Sequence, residues 1–427
     1  MNSVTLQTLL PDCCHVSESD TRVGRHSLAD LAARFGTPLY IYDAATLRSS
    51  ARTVIDAFAP LKARVSYASK ACAILGVLRV ICQSGLGLDA VSGGELHAGL
   101  KAGFEPKSIH LHGNVKTDTE LDAAVCTGVH AVVVDSLAEV ERLDRVCSQL
   151  GAKVGVMIRL SLPVEAETHP HLQTSGAGTK FGVLRSAEEE AALIRIVLGS
   201  CRLRFMGLHV HLGSQITDVE VYRQAASQMA AAVSEYATAG LESEELSMGG
   251  GWAVPYVPGD TTLDPRDVAG ALGDTLATFP DVRPAVEPGR ALVARSALAL
   301  YRVASIKHRF AGRIISVDGG MGDNPRPALY GARYTAFLSR LPLAESNGPA
   351  DVVGRYCESG DVLARQVSLP EVREGDMLCV PVSGAYQLSM ASSYNLVPPP
   401  AAILVDGDEV TVIRRRPTPD QLLEYDS

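Results

Sequence analysis

Lys70 closes the segment Val65-Ser-Tyr-Ala-Ser-Lys70, where an alternating apolar strand runs out among small residues. An amine at such a position can condense with an aldehyde to a Schiff base, the chemistry of pyridoxal phosphate enzymes. Most lysines at strand ends are simply solvated, so Lys70 gains meaning from what ends the neighbouring strands. In chain order those ends carry Asp89, His112 with Asn114, Asp135, Arg159, His211, Gly249-Gly-Gly251 and Glu287. A pyridine ring that is to accept electrons needs a carboxylate beside its nitrogen, and Glu287 suits that place. His211 offers a flat ring to stack on a cofactor. Gly249-Gly-Gly251, helped by Gly289 and Arg290, offers open backbone N–H groups to a phosphate. Each feature also has a plainer reading. His209 and His211 can be hydrogen-bonded core histidines, the glycines a tight turn, Cys357 a small buried apolar residue, and Asp89 the cap of a helix starting near Gly94.

The elements that must position these groups are legible as rhythm. Short β-branched or apolar runs at 64–69, 86–91, 109–113, 131–135, 153–160, 204–212, 245–248 and 283–287 alternate with Ala/Leu-rich stretches. The stretches 94–101 and 219–236 repeat apolar residues every three or four positions, as amphipathic helices do. Eight strands separated by helices predict parallel pairing and closure into a (β/α)8 barrel, whose chemistry collects at the carboxyl ends of the strands. An open doubly wound sheet is the competing arrangement. After Arg290 helical periodicity nearly vanishes. Strand-like runs at 298–306, 313–317, 376–382 and 402–405, with a turn at Asp406-Gly407-Asp408, predict a β-sandwich or β-barrel domain. A helix at 26–35 and a strand at 38–42 precede the barrel, so the amino-terminal segment is expected to join that β domain. The expected division is 44–298 for the barrel, with 1–43 and 299–427 forming the β domain.

Composition narrows the function classes. The 427 residues are 46% hydrophobic and 20% charged, with a formal net charge of -9. That balance fits a globular protein and lacks the concentrated Lys and Arg of a nucleic-acid surface. Nine scattered cysteines form no CxxC pair and no Cys/His cluster at metal-ligand spacing, which predicts reduced thiols and no metal. Residues 1–20 lack the basic and apolar regions of a secretory leader, and no stretch reaches the roughly 18 apolar residues of a membrane helix. A soluble, cytoplasmic protein with a small-molecule substrate is expected, without nucleic-acid or membrane partners.

Longer blocks carry a resemblance. Gly36-Thr-Pro-Leu-Tyr-Ile-Tyr-Asp43, Tyr67-Ala-Ser-Lys70, Leu88-Asp-Ala-Val-Ser-Gly-Gly-Glu95, His112-Gly-Asn114, Lys180-Phe-Gly182 and Gly207-Leu-His-Val-His-Leu-Gly-Ser-Gln215 come first. Gly249-Gly-Gly251, Glu287-Pro-Gly-Arg290, Asp318-Gly-Gly-Met321, Arg326-Pro-Ala-Leu-Tyr330, Cys357-Glu-Ser-Gly-Asp361 and Gly384-Ala-Tyr386 follow. In this order, over about residues 30 to 415, the chain resembles the fold-type III pyridoxal phosphate decarboxylases. The pair Cys-Glu-Ser-Gly-Asp and Glu-Pro-Gly-Arg is the most specific part.

The resemblance implies a barrel followed by a β domain and pyridoxal 5'-phosphate as cofactor. It implies that Lys70 carries the cofactor with Asp89 nearby, that His211 stacks on the ring and that Glu287 pairs with the pyridine nitrogen. Ser214, Gly250, Gly251, Gly289 and Arg290 then surround the phosphate, with Tyr386 completing the cofactor contacts. Cys357 is implied as the acid, and Arg290, Arg326, Tyr330, Glu358 and Tyr386 as substrate contacts in a homodimer with shared active sites. The implied reaction is decarboxylation of meso-2,6-diaminopimelate at its D-configured centre, giving L-lysine and CO2 as the last step of lysine biosynthesis. A relative acting on ornithine, arginine or carboxynorspermidine is the near alternative, and a non-catalytic cofactor-binding homologue the farther one. Arg326 can instead close a structural salt bridge. Two departures touch loops: Lys70 is followed by Ala-Cys72 where relatives usually have Ala-Asn, and Tyr394-Asn395 by Leu-Val-Pro-Pro-Pro where arginine-containing sequence is common.

Overall fold

Runs such as Ala131-Val-Val-Val134, apolar at consecutive positions, suit strands covered on both faces. The computed structural model, which describes residues 6–163, 179–310, 312–424 and 426, forms them into eight parallel strands. These are Arg64–Ala68, Gly87–Ala90, Ile109–Leu111, Ala131–Val134, Val154–Ser161, Leu203–His209, Glu245–Ser247 and Arg283–Val286. Each pairs with its successor, and Arg283–Val286 returns to Arg64–Ala68 with Ala285 opposite Arg64, which closes the barrel. The open-sheet arrangement is thereby excluded. A short ninth strand, Val183–Leu184, extends the end of the fifth.

Between the strands the helices start and stop where local chemistry dictates. Ser92 accepts from the Glu95 N–H to cap Gly93–Ala102, so the capping role considered for Asp89 belongs to Ser92. Asp89 instead points from a strand into the barrel, 3% exposed. Thr117 and Glu120 make a reciprocal capping box for Asp118–Thr127. Gly103, Gly128 and Gly151 end their helices in the left-handed conformation.

The chain divides into two compact units, one of residues 51–253 and 261–291 and the other of residues 1–50, 254–260 and 292–427. In the second, Leu39–Asp43 pairs antiparallel with Ala297–Arg309 and parallel with Ala401–Asp406. The amino-terminal strand therefore lies inside the β-domain sheet. The helix Leu28–Phe35, capped by Ser27, packs Leu28 and Leu31 into a core with Leu39, Ile41, Leu298, Leu300, Cys379 and Ile403. Two paired strands that the sequence did not reveal, Pro349–Val353 and Val362–Ser368, extend the same sheet. No helix among the described residues is long and apolar enough to cross a membrane.

Candidate active site

Lys70 sits half-buried in a single 3-10 turn, Ser69–Ala71, directly after the first barrel strand. The Ser69 hydroxyl contacts the Asp89 carbonyl at 2.8 Å and the Glu95 carboxylate at 2.7 Å, tying the turn to the second strand and the helix behind it. The Tyr67 hydroxyl donates to the Cys72 carbonyl at 2.9 Å. That bond uses backbone, so the change to Cys72 leaves it intact. Gly289 passes so close that a Cβ there would stand 3.1 Å from the Ala68 carbonyl and 3.3 Å from the Ala71 Cβ.

Glu287 follows the last strand and is fixed from two sides. Ser247 donates to one carboxylate oxygen at 2.5 Å, and His209 Nε2 lies 3.0 Å from the other. Burial alone would raise the Glu287 pKa. The neighbouring His209 and His112, with the bonds from His209 and Ser247, instead hold it well below the usual carboxylate range. Burial lowers the pKa of His209 despite its carboxylate partner. Glu287 therefore stays anionic beside His209.

His211 lies just past its strand, half-buried. Burial, with the positive charges of Lys70 and Arg159, drives its pKa well below the ordinary value. The Gly250 N–H points at its Nδ1 from 3.4 Å, which assigns the ring proton to Nε2. Side chains are excluded all along this stretch. A Cβ on Gly249 would reach within 2.7 Å of His211 Nδ1, one on Gly250 within 2.3 Å of the Glu287 carbonyl, and one on Gly251 within 2.0 Å of the Gly213 carbonyl. Arg290, 6% exposed, donates to Ser214 Oγ at 2.9 Å beside them. A guanidinium, a hydroxyl and bare glycine backbone together suit an anion such as a phosphate.

Asp135 and Arg159 do other work than their strand-end positions suggested. They face each other at 3.5 Å, Asp135 accepts from the Gly182 N–H at 3.0 Å, and Arg159 lies over the Phe181 ring at 4.6 Å. Together they anchor the Lys180-Phe-Gly182 segment. Two trios, His112/His209/Glu287 and His110/His130/Glu245, bring ligand-type atoms within 4.8 Å of one another. Ser247 bonds the carboxylate of the first trio and Arg64 that of the second.

In the β unit, Arg326 is 3% exposed and has no carboxylate partner among the described residues. Its Nη1 donates to the Tyr334 hydroxyl, and its guanidinium lies 4.5 Å from the Tyr256 ring centroid and 5.5 Å from that of Tyr334. The salt-bridge reading of Arg326 is not borne out among the described residues. Tyr330 closes the short helix Arg326–Tyr330, and Tyr386 adopts a positive φ of 57°. Cys357 and Glu358 are exposed. The Cys357 N–H donates to Asn395 Oδ1 at 3.2 Å, Tyr394 donates to Glu358 at 2.5 Å, and the Tyr394 ring stacks on Tyr356.

A family model described as the pyridoxal binding domain of pyridoxal-dependent decarboxylases matches residues 44–294. The chain is 40% identical over 422 residues to a diaminopimelate decarboxylase of Actinosynnema pretiosum, covering 97% of this chain and 94% of that one. It is 37% identical to the Bacillus subtilis diaminopimelate decarboxylase, covering 93% and 92%. A crystal structure of diaminopimelate decarboxylase from M. jannaschii in complex with L-lysine superposes with a TM-score of 0.92 at 30% identity, over 97% of this chain and 98% of that one. The chain belongs to the pyridoxal-dependent decarboxylases.

Within the barrel of this decarboxylase, Lys70 and Asp89 lie on adjacent strand ends, and His211, Gly250, Gly251 and Glu287 line a second group joined by direct contacts. Ser214 and Arg290 are bonded to each other. In the β unit, Arg326 lies against Tyr256 and Tyr334, while Cys357 and Glu358 share the loop organised by Tyr394 and Asn395. Sequence reasoning missed Ser247, Tyr256, Tyr334, His110 and Glu245. His110 and Glu245 did leave a signal, since each is an ionisable residue inside an otherwise strand-forming run.

Gly251 gives this decarboxylase a direct test of its tight backbone. It combines a φ of +98° with the 2.0 Å clash, so Gly251→Ala is expected to lower unfolding stability by roughly 1–3 kcal/mol in urea titrations. Gly270, exposed within the helix Pro265–Leu276 with nothing within 4 Å, is the control. Gly270→Ala is expected to stabilise by about 0.5–1 kcal/mol.

Proposed function

We propose that the chain decarboxylates meso-2,6-diaminopimelate at its D-configured centre, releasing L-lysine and CO2, with pyridoxal 5'-phosphate as cofactor. The observation that carries the substrate assignment is Arg326, a buried guanidinium held by tyrosines with no carboxylate partner among the described residues. A cation prepared in this way is matched by a substrate anion. Diaminopimelate keeps a carboxylate at the end remote from the reacting centre. Ornithine presents only an amine there. Glu358 suits the accompanying ammonium, and Arg290, Tyr330 and Tyr386 complete the substrate contacts.

The residues present fit the cofactor. Gly250, Gly251 and Gly289 let backbone segments pack without side chains, and their N–H groups suit a phosphate, with Ser214 and Arg290 bonded to each other beside them and Tyr386 as a further contact. Anionic Glu287 suits a protonated pyridine nitrogen, and the neutral His211 ring suits stacking. Lys70 is the attachment amine, with Asp89 at its side. When bound, pyridoxal phosphate supplies the electron sink for the bonding pair left behind by CO2. Glu287 keeps that sink charged, and Cys357 delivers the proton that completes lysine.

The active form is a homodimer that shares its active sites, located in the cytoplasm. The exposure of Cys357 and Glu358, beside a hollow lined by Met321, Pro325, Leu329 and Tyr394, supports a surface completed by another subunit. Sedimentation of the purified protein checks the dimer, and a monomer with full activity would refute it.

Lysine release from meso-diaminopimelate, compared with turnover of ornithine, arginine and carboxynorspermidine, tests the assignment. A higher kcat/KM for ornithine would overturn it. Arg326→Met is expected to lower kcat/KM for diaminopimelate by roughly one to two decades, the worth of a charge-assisted bond of about 1.5–3 kcal/mol. Much of that loss should appear as a raised KM, while turnover of substrates lacking the remote carboxylate should change little.

A further inference from the structure

Below the strand ends, a row of charged groups of alternating sign runs through the barrel interior. Asp89 on the second strand lies directly opposite His110 on the third. His110 Nδ1 stands 3.4 Å from Asp89 Oδ1, and its Nε2 stands 3.1 Å from Glu245 Oε1 on the seventh strand. The other Glu245 oxygen accepts from Arg64 Nε at 2.8 Å and lies 3.5 Å from His130 Nε2. Asp89, His110 and Glu245 are each at most 3% exposed. Neither Asp89 oxygen and neither His110 nitrogen makes a directed hydrogen bond among the described residues, so these contacts are ion pairs set by distance, with His112 Nε2 also 3.7 Å from Asp89 Oδ1.

The geometry points to His110 as a positioning residue for the reaction: an imidazolium set between Asp89 and Glu245 that holds the Asp89 carboxylate in place. The inference rests on the reading above, in which Asp89 stands beside Lys70 and the cofactor. The groups facing His110 are Asp89, Glu245, the His130 ring at 5.0 Å and the His112 ring at 6.2 Å, with Arg64 acting through Glu245. Burial lowers the His110 pKa, but its two carboxylates outweigh that and push it up to about 9. His130 stays below its ordinary value. Its bond to Glu245 raises it, whereas burial and the charges of Arg64 and His110 lower it.

The sign of the pH dependence follows. Stability contributed by His110 is fully present below the unfolded histidine value near 6.5 and is lost as pH rises through about 9. Replacing His110 with a neutral residue removes this titration, so the part of the alkaline limb of kcat/KM that runs through about pH 9 should disappear.

Two measurements on the full chain loaded with pyridoxal phosphate test this. In histidine-selective 15N NMR of the unmutated protein at pH 8, one buried ring should remain doubly protonated, and Glu245→Gln should lower its pKa. In His110→Asn, kcat/KM for diaminopimelate should fall and its alkaline limb should change as stated. Absence of any doubly protonated ring at pH 8 overturns the inference without reference to a variant's folding, as does a His110→Asn profile that coincides with the unmutated one. Failure of the unmutated protein to release lysine overturns the proposed function instead, and the NMR result separates the two.

Discussion

Lys70→Ala is expected to abolish the visible absorbance of bound cofactor and to lower kcat for lysine release by about three orders of magnitude or more, as loss of a covalent catalyst does. The effect should be chemical. Lys70 is half-buried on a turn held by Ser69 and Tyr67, and none of the bonds that fix the turn uses the lysine amine. Unfolding stability without cofactor should therefore change little. Borohydride trapping of the unmutated protein, followed by peptide mapping, should place the label at Lys70. A label elsewhere, or near-normal turnover in Lys70→Ala, would remove the basis of the proposed chemistry.

Cys357→Ala is expected to reduce kcat by roughly 10²–10⁴, the usual contribution of a positioned general acid, while the cofactor absorbance persists. Its exposed side chain makes a cavity penalty small, so stability should stay within about 0.5 kcal/mol. What fixes the loop is the Cys357 backbone N–H on Asn395, and alanine retains that group. Unchanged kcat would assign the proton to another donor. Asn395→Ala separates placement from chemistry, because it keeps the thiol but removes its anchor.

The barrel was legible because its strands are short, apolar and regularly interrupted by helical periodicity, and all eight appear where the pattern put them. The amino-terminal strand was legible because 38–42 is apolar yet precedes the barrel rhythm. Pro349–Val353 and Val362–Ser368 escaped notice. Their pairing is broken by register shifts, and Gln366, at a φ of 51°, interrupts the alternation that marks a strand. Lys70, Asp89, His211 and Glu287 stand out in the sequence as strand ends, and so do Asp135 and Arg159, which face each other and hold a loop. His110 and Glu245 do not stand out, because they sit within their strands. Tyr256 left no local signal at all, since only the folded chain brings residues 254–260 to Arg326.

The strand Leu39–Asp43 lies between Ala297–Arg309 and Ala401–Asp406. During translation it leaves the ribosome long before either neighbour exists. Its row of unpaired N–H and C=O groups must wait, open to mispairing, while the whole barrel is made. The β domain can complete its sheet only once residues 401–406 have been synthesised. Nascent chains stalled before residue 401 should accordingly carry this segment in a protease-sensitive form.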